Sequence, residues 1–521
     1  MSTASNHDHH NLYAALRAGF PADLDRVAIE TADTPQPLHY TWRDIERGSA
    51  MIANLLAALE LPAGARVAVQ TDKSVEALLL YLAVLRAGFV YLPLNTGYQA
   101  GEIEYFIGNA EPSVVVCASR NFGWISQLAF KAGVGHVFTL DDDRSGSLLQ
   151  RAAVQADLQQ PVARTPDDLA AILYTSGTTG RSKGAMLSHG NLLSNAQVLQ
   201  QYWGWRQGDV LIHALPIFHV HGLFVASHGA LLNGSRMIWF ARFDARAVIA
   251  RFAHATVFMG VPTLYVRMLA EPVLSKAAAA PMRLFISGSA PLLPETFADW
   301  RERTGHTILE RYGMSETIML TSNPYRAIDG ERRAGTVGRA LPGVGVRVRK
   351  DAGEGHRADC EADEIGDIEV RGPNVFAGYW RMPEKTKEEF CDDGWFRTGD
   401  VGRIDAGGVV TIVGRSKDLV ISGGYNVYPA EVESHINELA GVAESAVIGV
   451  PHPDFGEGVV AVVVPKPGAS VDPQAVIDAL KQRIAAFKVP KQVFIDAELP
   501  RNTMGKVQKN LLREQHRGLF A

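Results

Sequence analysis

Short apolar runs alternate with segments of helical spacing along the first part of the chain. A continuous apolar run of a few residues is typical of a buried strand, whereas apolar residues three and four positions apart are typical of a helix. Regular alternation of the two favours parallel sheets covered by helices. The pattern predicts strands at residues 27–31, 66–70, 89–94 and 113–117 and helices near residues 41–59 and 75–86.

The same alternation resumes in the middle of the chain, where each apolar run ends in small or polar residues. In an open α/β sheet, ligands bind beyond the carboxyl ends of the strands. Strands are predicted at residues 209–215, 256–261, 282–287 and 307–312, and the segments expected to line a site are residues 216–222, 260–264, 287–292 and 311–317.

A polar loop, residues 175–184, interrupts the apolar pattern with the sequence Thr-Ser-Gly-Thr-Thr-Gly-Arg-Ser-Lys-Gly. The apolar run before it predicts a strand, and the residues from Ala185 onwards predict the start of a helix. Glycines allow backbone N–H groups to approach an anion, and hydroxyls and a cation add donors. The loop therefore suits a polyphosphate, although it lacks the Lys-Ser/Thr pair of a Walker A motif.

Beyond about residue 330 the chain becomes rich in glycine and proline and short alternating strands. Strands are predicted at residues 366–372, 394–400 and 408–414, and the polar residues 415–418 indicate a domain boundary. A helix at 429–439, strands at 444–450 and 459–464 and a helix at 474–487 follow. The sequence thus predicts an α/β protein. Its large N-terminal domain, residues 1–414, has parallel-rich sheets, flanking helices and a β-rich subdomain, and a small mobile α+β domain spans residues 415–521.

Composition excludes several classes of function. The 521 residues carry a net charge of −5, and the charges are dispersed, which gives no electrostatic footprint for nucleic acid or an anionic membrane. The cysteines Cys117, Cys360 and Cys391 are too far apart for a disulfide framework or a zinc site. The N-terminus lacks the features of a signal peptide, and Arg86 and Gly88 interrupt the longest apolar run. We therefore expect a cytoplasmic protein.

Five segments, in this order, resemble the adenylate-forming superfamily of acyl-CoA synthetases, peptide synthetase adenylation domains and luciferases. The resemblance covers essentially the whole chain, although Ser182 stands where proline is usual in the family. The segments are Thr175–Gly184, Arg311-Tyr-Gly-Met-Ser-Glu-Thr317, Thr398-Gly-Asp400, Gly414-Arg-Ser-Lys-Asp418 and Pro500-Arg-Asn-Thr-Met-Gly-Lys506.

The resemblance implies ATP, Mg²⁺ and coenzyme A as ligands and assigns residues to each part of the nucleotide. Asp400 is implied to bind the ribose with support from Arg415, and Glu316 and Thr175 to hold Mg²⁺, a cation that prefers oxygen ligands. The residues implied to bind the phosphates are Thr175, Ser176, Gly177, Thr178, Thr179, Gly180 and Lys183. The adenine is implied to lie between Gly288, Ser289 and Ala290 on one side and Tyr312 on the other. The remaining residues implied to bind ATP or AMP are Glu310, Gly313, Met314 and Ser315.

The C-terminal motifs are implied to act in two steps. Lys506 would offset the repulsion between a carboxylate and the α-phosphate, where negative charge accumulates during adenylation. Lys417 matches the family's hinge position, about which the small domain would swing. Gly423 and Gly424 resemble the loop that is brought beside the coenzyme A thiol for the second step.

Arg311 departs from the family pattern, because most acyl-CoA synthetases for plain monocarboxylates carry glycine at this position. A buried guanidinium needs an anionic partner, which could be Glu310, Glu316 or a second carboxylate of the substrate. The segments around Arg311 and His219 look most like malonyl-CoA synthetases. Arg267 matches a second arginine for the distal carboxylate, and His219, more than His221, is expected to contact the acyl group.

These features predict an ATP-dependent ligase that forms malonyl-CoA through a malonyl-adenylate and acts on small molecules alone. Three alternatives stay open. The first is a synthetase for methylmalonate or another small acid, with Arg311 paired internally. The second is an adenylation enzyme that loads a carrier protein, although the few residues after Lys506 leave no room for an appended carrier. The third is a nucleotide-binding protein without catalysis.

The context of Lys506 also suggests a lysine acetyltransferase and deacetylase as partners.

Overall fold

A computed structural model describes residues 10–34, 36–175, 182–351, 357–423, 425–502 and 505–520. The strands in these residues are β1 (Val27–Thr31), β2 (His39–Thr41), β3 (Arg66–Gln70), β4 (Val90–Pro93), β5 (Val114–Cys117), β6 (His136–Thr139), β7 (Leu169–Thr175), β8 (Lys183–Ser188), β9 (Val210–His213), β10 (Arg236–Trp239), β11 (Val257–Gly260), β12 (Leu284–Ser287), β13 (Leu309–Tyr312), β14 (Thr321–Ser322), β15 (Arg339–Ala340), β16 (Gly345–Asp351), β17 (Arg357–Asp359), β18 (Gly366–Arg371), β19 (Phe396–Ile404), β20 (Val410–Arg415), β21 (Val420–Ser422), β22 (Tyr425–Val427), β23 (Val442–His452), β24 (Gly456–Pro465) and β25 (Gln492–Ile495).

The α-helices of the described residues lie between these strands. They are α1 (Leu12–Ala18), α2 (Trp42–Ala57), α3 (Val75–Arg86), α4 (Ala100–Ala110), α5 (Phe122–Lys131), α6 (Ser147–Ala152), α7 (His189–Tyr202), α8 (His228–Leu232), α9 (Ala245–Ala250), α10 (Pro262–Leu269), α11 (Lys276–Ala279), α12 (Pro294–Thr304), α13 (Pro383–Glu389), α14 (Pro429–Asn437), α15 (Pro473–Lys481) and α16 (Lys509–His516).

The chain forms two compact units, Met1–Gly345 with Arg371–Gly394, and Val346–Val370 with Trp395–Ala521. The first unit contains a nine-stranded sheet in the order β15-β14-β13-β12-β11-β9-β10-β1-β2. Its central strands from β13 to β1 are parallel, and antiparallel strands flank them at both edges. The parallel core confirms the predicted α/β class. It brings the carboxyl ends of β9, β11, β12 and β13 to one edge of the sheet, where ligands bind in such folds.

A six-stranded sheet in the same unit has the order β6-β5-β3-β4-β7-β8. Its last strand corrects a prediction, because residues 183–188 form β8, antiparallel to β7, instead of starting a helix. The helix α7 begins only at His189. Ser188 and Asn191 form a capping box there, which satisfies the first N–H groups and fixes the start of the helix.

The helices α2 and α3 follow the predicted pattern closely. Thr41 and Asp44, three positions apart, form a capping box at the start of α2. Every residue of α3 is buried, including Arg86, whose guanidinium donates to the Tyr13 hydroxyl (2.9 Å) and the Glu46 carbonyl (2.8 Å). A helix buried on every side carries apolar residues all round, and α3 does so apart from Glu76, Tyr81 and Arg86.

The second unit holds an antiparallel sheet in the order β17-β16-β18-β19-β20 and a sheet in the order β22-β21-β24-β23, in which β25 also pairs with β24. The predicted β-rich strands are confirmed as β18, β19 and β20, but they share a compact unit with the C-terminal residues. Valines of β23 and β24 pack with α14 and α15, which gives the small α+β fold that was predicted. The helix α15 ends at Lys481, six residues before the predicted end.

No helix among the described residues combines the length and the apolar character that crossing a bilayer requires.

Candidate active site

Arg311 lies on β13 at the carboxyl edge of the nine-stranded sheet and is only 2% exposed. Among the described residues its Nε and Nη2 atoms have no hydrogen-bond partner, and the guanidinium forms no ion pair with a carboxylate. It lies against Gly288, where an added Cβ would come within 2.6 Å of the Arg311 Cζ. Burial lowers the pKa of Arg311 to about 9, so the side chain is still a cation at pH 7. The site therefore contains a buried positive charge without a protein counter-ion in the described residues.

Glu310, the residue before Arg311, does not supply the missing counter-ion. Its Oε1 accepts a hydrogen bond from the backbone N–H of Leu292 (3.0 Å), and its Oε2 has no partner in the described part of the chain. Burial raises the pKa of Glu310 to about 8, against the smaller opposing effects of the Leu292 N–H group and Arg311. The side chain is therefore mostly neutral at pH 7, and a neutral carboxyl group does not balance a guanidinium.

His221 and Ser289 lie beside Arg311. His221 is fully buried, and its Nδ1 is 3.3 Å from the Ser289 Oγ, while its Nε2 has no partner within the described residues. Burial and the nearby Arg311 charge hold the pKa of His221 well below its usual value, so the imidazole is neutral. His219 is half-buried and accepts a hydrogen bond at Nδ1 from the His221 backbone N–H (3.2 Å). His221 is thus buried close to the Arg311 charge.

Arg267 does not share this buried environment. It lies in the last turn of α10 with an exposed side chain. Tyr265 on the same helix points inward, and its hydroxyl donates to the carbonyl of Ile286 (2.7 Å). The structure thus brings Arg311, His221 and Ser289 together and places Arg267 on an exposed face of its helix.

Two loops predicted to hold the adenine follow β12 and β13. In the first, Gly288–Ala290, Ser289 adopts a left-handed conformation with a φ of +72°. In the second, Tyr312–Ser315, a Cβ on Gly313 would lie 1.8 Å from the carbonyl oxygen of Ile318. Only glycine permits this close approach of two backbone segments. In the turn that follows, the Thr317 N–H donates to the Met314 carbonyl (3.2 Å), and Glu316 is buried.

The phosphate loop is described only at its two ends. Ser176, Gly177, Thr178, Thr179 and Gly180 lie outside the described residues. Thr175 ends β7, and its hydroxyl donates to the Lys183 carbonyl (3.4 Å). The Lys183 ammonium is 3.3 Å from the Glu389 carboxylate and 4.5 Å from the ring centre of Tyr379. The predicted loop lysine is therefore held by two side chains that come from much later in the chain.

Tyr379 and Glu389 are functional candidates that the sequence did not indicate. The Tyr379 hydroxyl donates to the Glu316 Oε1 (3.0 Å), so Glu316 and Lys183 both contact this residue. The sequence feature that could have pointed to Tyr379 is the aromatic segment Phe376-Ala-Gly-Tyr-Trp380 just before α13. Its partners could not be found from the sequence, because they lie about 60 and 200 positions away.

The second unit contains the predicted ribose-binding pair. Asp400 on β19 is buried, and its Oδ1 lies 2.8 Å from the Nε of Arg415, its cross-strand neighbour on β20. Arg415 also donates to the Thr398 carbonyl (3.3 Å), and the Asp400 backbone N–H donates to the Thr398 hydroxyl (3.1 Å). These contacts fix the carboxylate in place at the end of the sheet.

Lys417, Lys506 and Gly423 lie at turns of the second unit. The surrounding protein removes water from the Lys417 ammonium and lowers its pKa to about 8. Lys506 is exposed, and Asn502 holds its backbone, with the Lys506 N–H donating to the Asn502 Oδ1 (3.0 Å). Gly423 has a φ of +60° and donates its N–H to the Phe455 carbonyl (2.9 Å), whereas Gly424 lies outside the described residues.

Comparisons with known proteins cover nearly the whole chain. Residues 21–380 match the family "AMP-binding enzyme", and residues 431–506 match its C-terminal domain. The malonate–CoA ligase of Arabidopsis thaliana is 34% identical over 483 residues, which cover 87% of this chain and 78% of the relative. The mitochondrial malonate–CoA ligase of Mus musculus is 34% identical over 516 residues, covering 92% and 87%.

Solved structures agree with these matches. ATP-bound MatB from Rhodopseudomonas palustris is 54% identical, covers 98% of this chain and 100% of its own, and superposes with a TM-score of 0.94. A benzoate CoA ligase from Burkholderia xenovorans is 26% identical, covers 96% and 99%, and has a TM-score of 0.86. The chain belongs to the AMP-binding enzyme family.

Proposed function

We propose that this chain is an ATP-dependent ligase that joins malonate to coenzyme A through a malonyl-adenylate and releases AMP and pyrophosphate. The observation that supports malonate is the Arg311 guanidinium, which is buried and has unpaired Nε and Nη2 atoms among the described residues. These two nitrogens form one edge of the guanidinium, and that edge matches the two oxygens of a carboxylate. Malonate has a second carboxylate to place there while its first carboxylate reacts.

Electrostatics favour a substrate carboxylate over an internal partner for Arg311. Glu310 is engaged by the Leu292 N–H group and is mostly neutral at pH 7, and Glu316 accepts a hydrogen bond from Tyr379. Leaving one buried charge without a partner typically costs about 3–5 kcal/mol. Malonate would remove that cost on binding, whereas acetate would not. The relatives named malonate–CoA ligases support the same choice.

ATP is proposed to bind along the carboxyl edge of the nine-stranded sheet. The phosphate loop from Thr175 to Lys183 would contact the phosphates, and the loops Gly288–Ala290 and Tyr312–Ser315 would enclose the adenine. Asp400, oriented by Arg415, would accept hydrogen bonds from the ribose. The match to the AMP-binding enzyme family and the likeness to an ATP-bound structure support these assignments.

Magnesium is proposed as the metal that accompanies the phosphates. Mg²⁺ is usually held by one or two carboxylates together with substrate phosphates, and the buried Glu316 carboxylate and the Thr175 hydroxyl fit this pattern. Among the described residues, no group of three or more His, Cys, Asp and Glu side chains could hold a metal alone. When bound, the metal would neutralise phosphate charge.

The second unit is proposed to serve both steps of the reaction. The Lys506 ammonium would stabilise the charge that develops between carboxylate and α-phosphate, an effect worth a few kcal/mol in comparable sites, on the order of 3. We propose a boundary between residues 1–414 and 415–521 with the hinge near Lys417. Movement about it would bring Gly423 and Gly424 beside the coenzyme A thiol.

We also propose a cytoplasmic location and reversible acetylation of Lys506. Lys506 is an exposed residue, and acetylation would remove the charge that adenylation needs. Mass spectrometry of the protein from several growth states should find acetyl-Lys506 in a state with low ligase activity. Its absence from every state would reject this part of the proposal.

The test of the substrate is pyrophosphate release with MgATP and coenzyme A, using malonate, methylmalonate, succinate, acetate and propionate. We expect a strong preference for malonate in the native chain and its loss in Arg311→Gly and Arg311→Lys, since lysine keeps the charge but not the two-pronged edge. Arg326→Ala, at an exposed arginine paired with Asp329, is the control and should behave as the native chain does.

Equal or faster turnover of acetate by the native chain would reject malonate as the substrate and assign Arg311 a structural role. The acceptor is tested in the same assay, because AMP release should depend on coenzyme A. Release supported by a carrier protein and not by coenzyme A would favour the carrier-loading alternative.

A further inference from the structure

The segment from Phe376 to Trp380 joins the phosphate loop to Glu316. It runs antiparallel to β8, with the Met186 N–H donating to the Gly378 carbonyl (3.0 Å) and the Trp380 N–H donating to the Gly184 carbonyl (2.8 Å). At its other end, the Phe376 N–H donates to the Glu316 carbonyl (2.8 Å). Backbone hydrogen bonds thus fix this segment both to the end of the predicted phosphate loop and to the residue proposed to hold magnesium.

Tyr379 is the side chain of this segment that faces both elements. It is only 4% exposed, and its backbone N–H donates to the Thr386 hydroxyl (2.9 Å). Its ring packs edge-on against Phe376 with the ring centres 4.9 Å apart. Burial, the backbone hydrogen bond and the ring contact therefore hold the phenol in one position.

The hydroxyl and the ring of Tyr379 contact groups of opposite charge. The hydroxyl donates to the Glu316 Oε1 (3.0 Å), and a hydrogen bond to a buried carboxylate is stronger than one between neutral groups. The Lys183 ammonium lies 4.5 Å from the ring centre, within the range of a cation–π contact. One rigid ring therefore sets the positions of a carboxylate and an ammonium that come from different loops.

We propose that Tyr379 is a positioning residue that orients Glu316 for magnesium and Lys183 for the phosphates of ATP. This inference rests on the proposed function, because it assigns Tyr379 to the nucleotide site described there. The hydroxyl acts on Glu316 and the ring acts on Lys183, so the two contributions can be separated by substitution.

The experiment measures ATP binding to the full chain by isothermal titration calorimetry, with Mg²⁺ and with EDTA. Residues that orient a metal ligand typically change metal affinity by roughly 10- to 100-fold when they are removed. Tyr379→Phe keeps the ring and removes the hydroxyl. We expect it to weaken MgATP binding by about that factor while ATP binding in EDTA stays at the native value. Tyr379→Leu should also weaken binding in EDTA, because the ring beneath Lys183 is lost.

The matched control is Tyr40→Phe. The Tyr40 hydroxyl also donates to a glutamate, the Glu76 Oε1 (2.6 Å), and neither residue belongs to the proposed site. This variant should bind MgATP as the native chain does. Near-ultraviolet circular dichroism and thermal unfolding of each variant report whether the fold is intact.

The proposal is overturned if Tyr379→Phe keeps the native ratio of MgATP to ATP affinity, or if Tyr40→Phe loses it equally. A second variant, Glu316→Gln, gives an independent test, because it should lose at least as much magnesium dependence as Tyr379→Phe. A native ratio in Glu316→Gln would also overturn the proposal. Failure of the native chain to use malonate would reject the substrate alone, since MgATP binding is measured without any acid.

Discussion

Because the Arg311 charge is unpaired, we predict that replacing Arg311 stabilises the protein. The same replacement should abolish the use of malonate. In Arg311→Met an apolar chain of similar length replaces the guanidinium. The prediction is unusual because most substitutions of buried residues destabilise a protein. Stability and activity therefore should change in opposite directions at this one position.

The magnitude follows from the electrostatics of the site. Burial lowers the pKa of Arg311 from an ordinary value of 12.5 to about 9, which corresponds to a cost of roughly 5 kcal/mol for holding the charge in the folded chain. Both values lie above 7, so the full cost is present at neutral pH and is relieved only as the pH rises above about 9. Methionine loses some contacts of the guanidinium with Gly288 and its neighbours. We therefore expect a net gain of about 1–4 kcal/mol, the range found when buried ionic groups are replaced by apolar ones.

The assay is unfolding in urea, followed by fluorescence, with and without malonate. Arg311→Met should be more stable than the native chain when malonate is absent. Malonate at about 100 times its dissociation constant should add about 2.7 kcal/mol to the native chain and nothing to the variant. Arg86→Met is the matched control, because Arg86 is also buried but its guanidinium has hydrogen-bond partners, and this variant should lose stability.

Two results would refute the reasoning. One is an Arg311→Met variant that is no more stable than the native chain without malonate. The other is equal stabilisation of both proteins by malonate. Either result would mean that Arg311 is neutralised within the protein and does not bind the acid.

Three further predictions concern other parts of the site. Because burial raises the pKa of Glu310 to about 8, the folded chain binds the Glu310 proton more tightly than the unfolded chain does. The urea midpoint should therefore fall as the pH rises from about 4.5 to about 8, and Glu310→Gln should remove this fall. Gly313→Ala should destabilise the protein by about 1–3 kcal/mol or more, measured by thermal unfolding, because its Cβ would meet the Ile318 carbonyl. Asp400→Asn should raise the KM for ATP by roughly 10-fold or more in steady-state assays and leave the KM for malonate unchanged, since a charged hydrogen-bond acceptor is lost.

The sequence predicted those features that depend on local pattern. The apolar runs that became β3, β9 and β12 are buried on both faces of parallel sheets, so their continuous hydrophobicity is itself the signal. The capping box of Thr41 and Asp44 is likewise encoded within four residues. Family resemblance also assigned Glu316, Asp400 and Arg415 to the nucleotide site, because each stands in a short motif, and these assignments stay predictions.

Features that depend on distant partners were not predicted. Residues 183–188 are apolar enough for a helix or a strand, and only pairing with β7 across the phosphate loop decides for a strand. Tyr379 carries no local signal for a role at the site, because Glu316 and Lys183 reach it through tertiary packing. The unpaired state of Arg311 is also invisible in sequence, since Glu310 beside it could have been its partner.

The same unpaired state determines how sharply the site should discriminate among acids. A site built to bind a polar group rejects an analogue that lacks it by roughly 10⁴- to 10⁵-fold, because its own buried groups are then left without partners. Acetate and propionate would leave Arg311 in that condition. Methylmalonate keeps both carboxylates and adds one methyl group, which a pocket distinguishes by only about 1–3 kcal/mol. In the proposed role, Arg311 would give a steep selection for a second carboxylate, and the selection between two dicarboxylates would depend on the space available for the added methyl group.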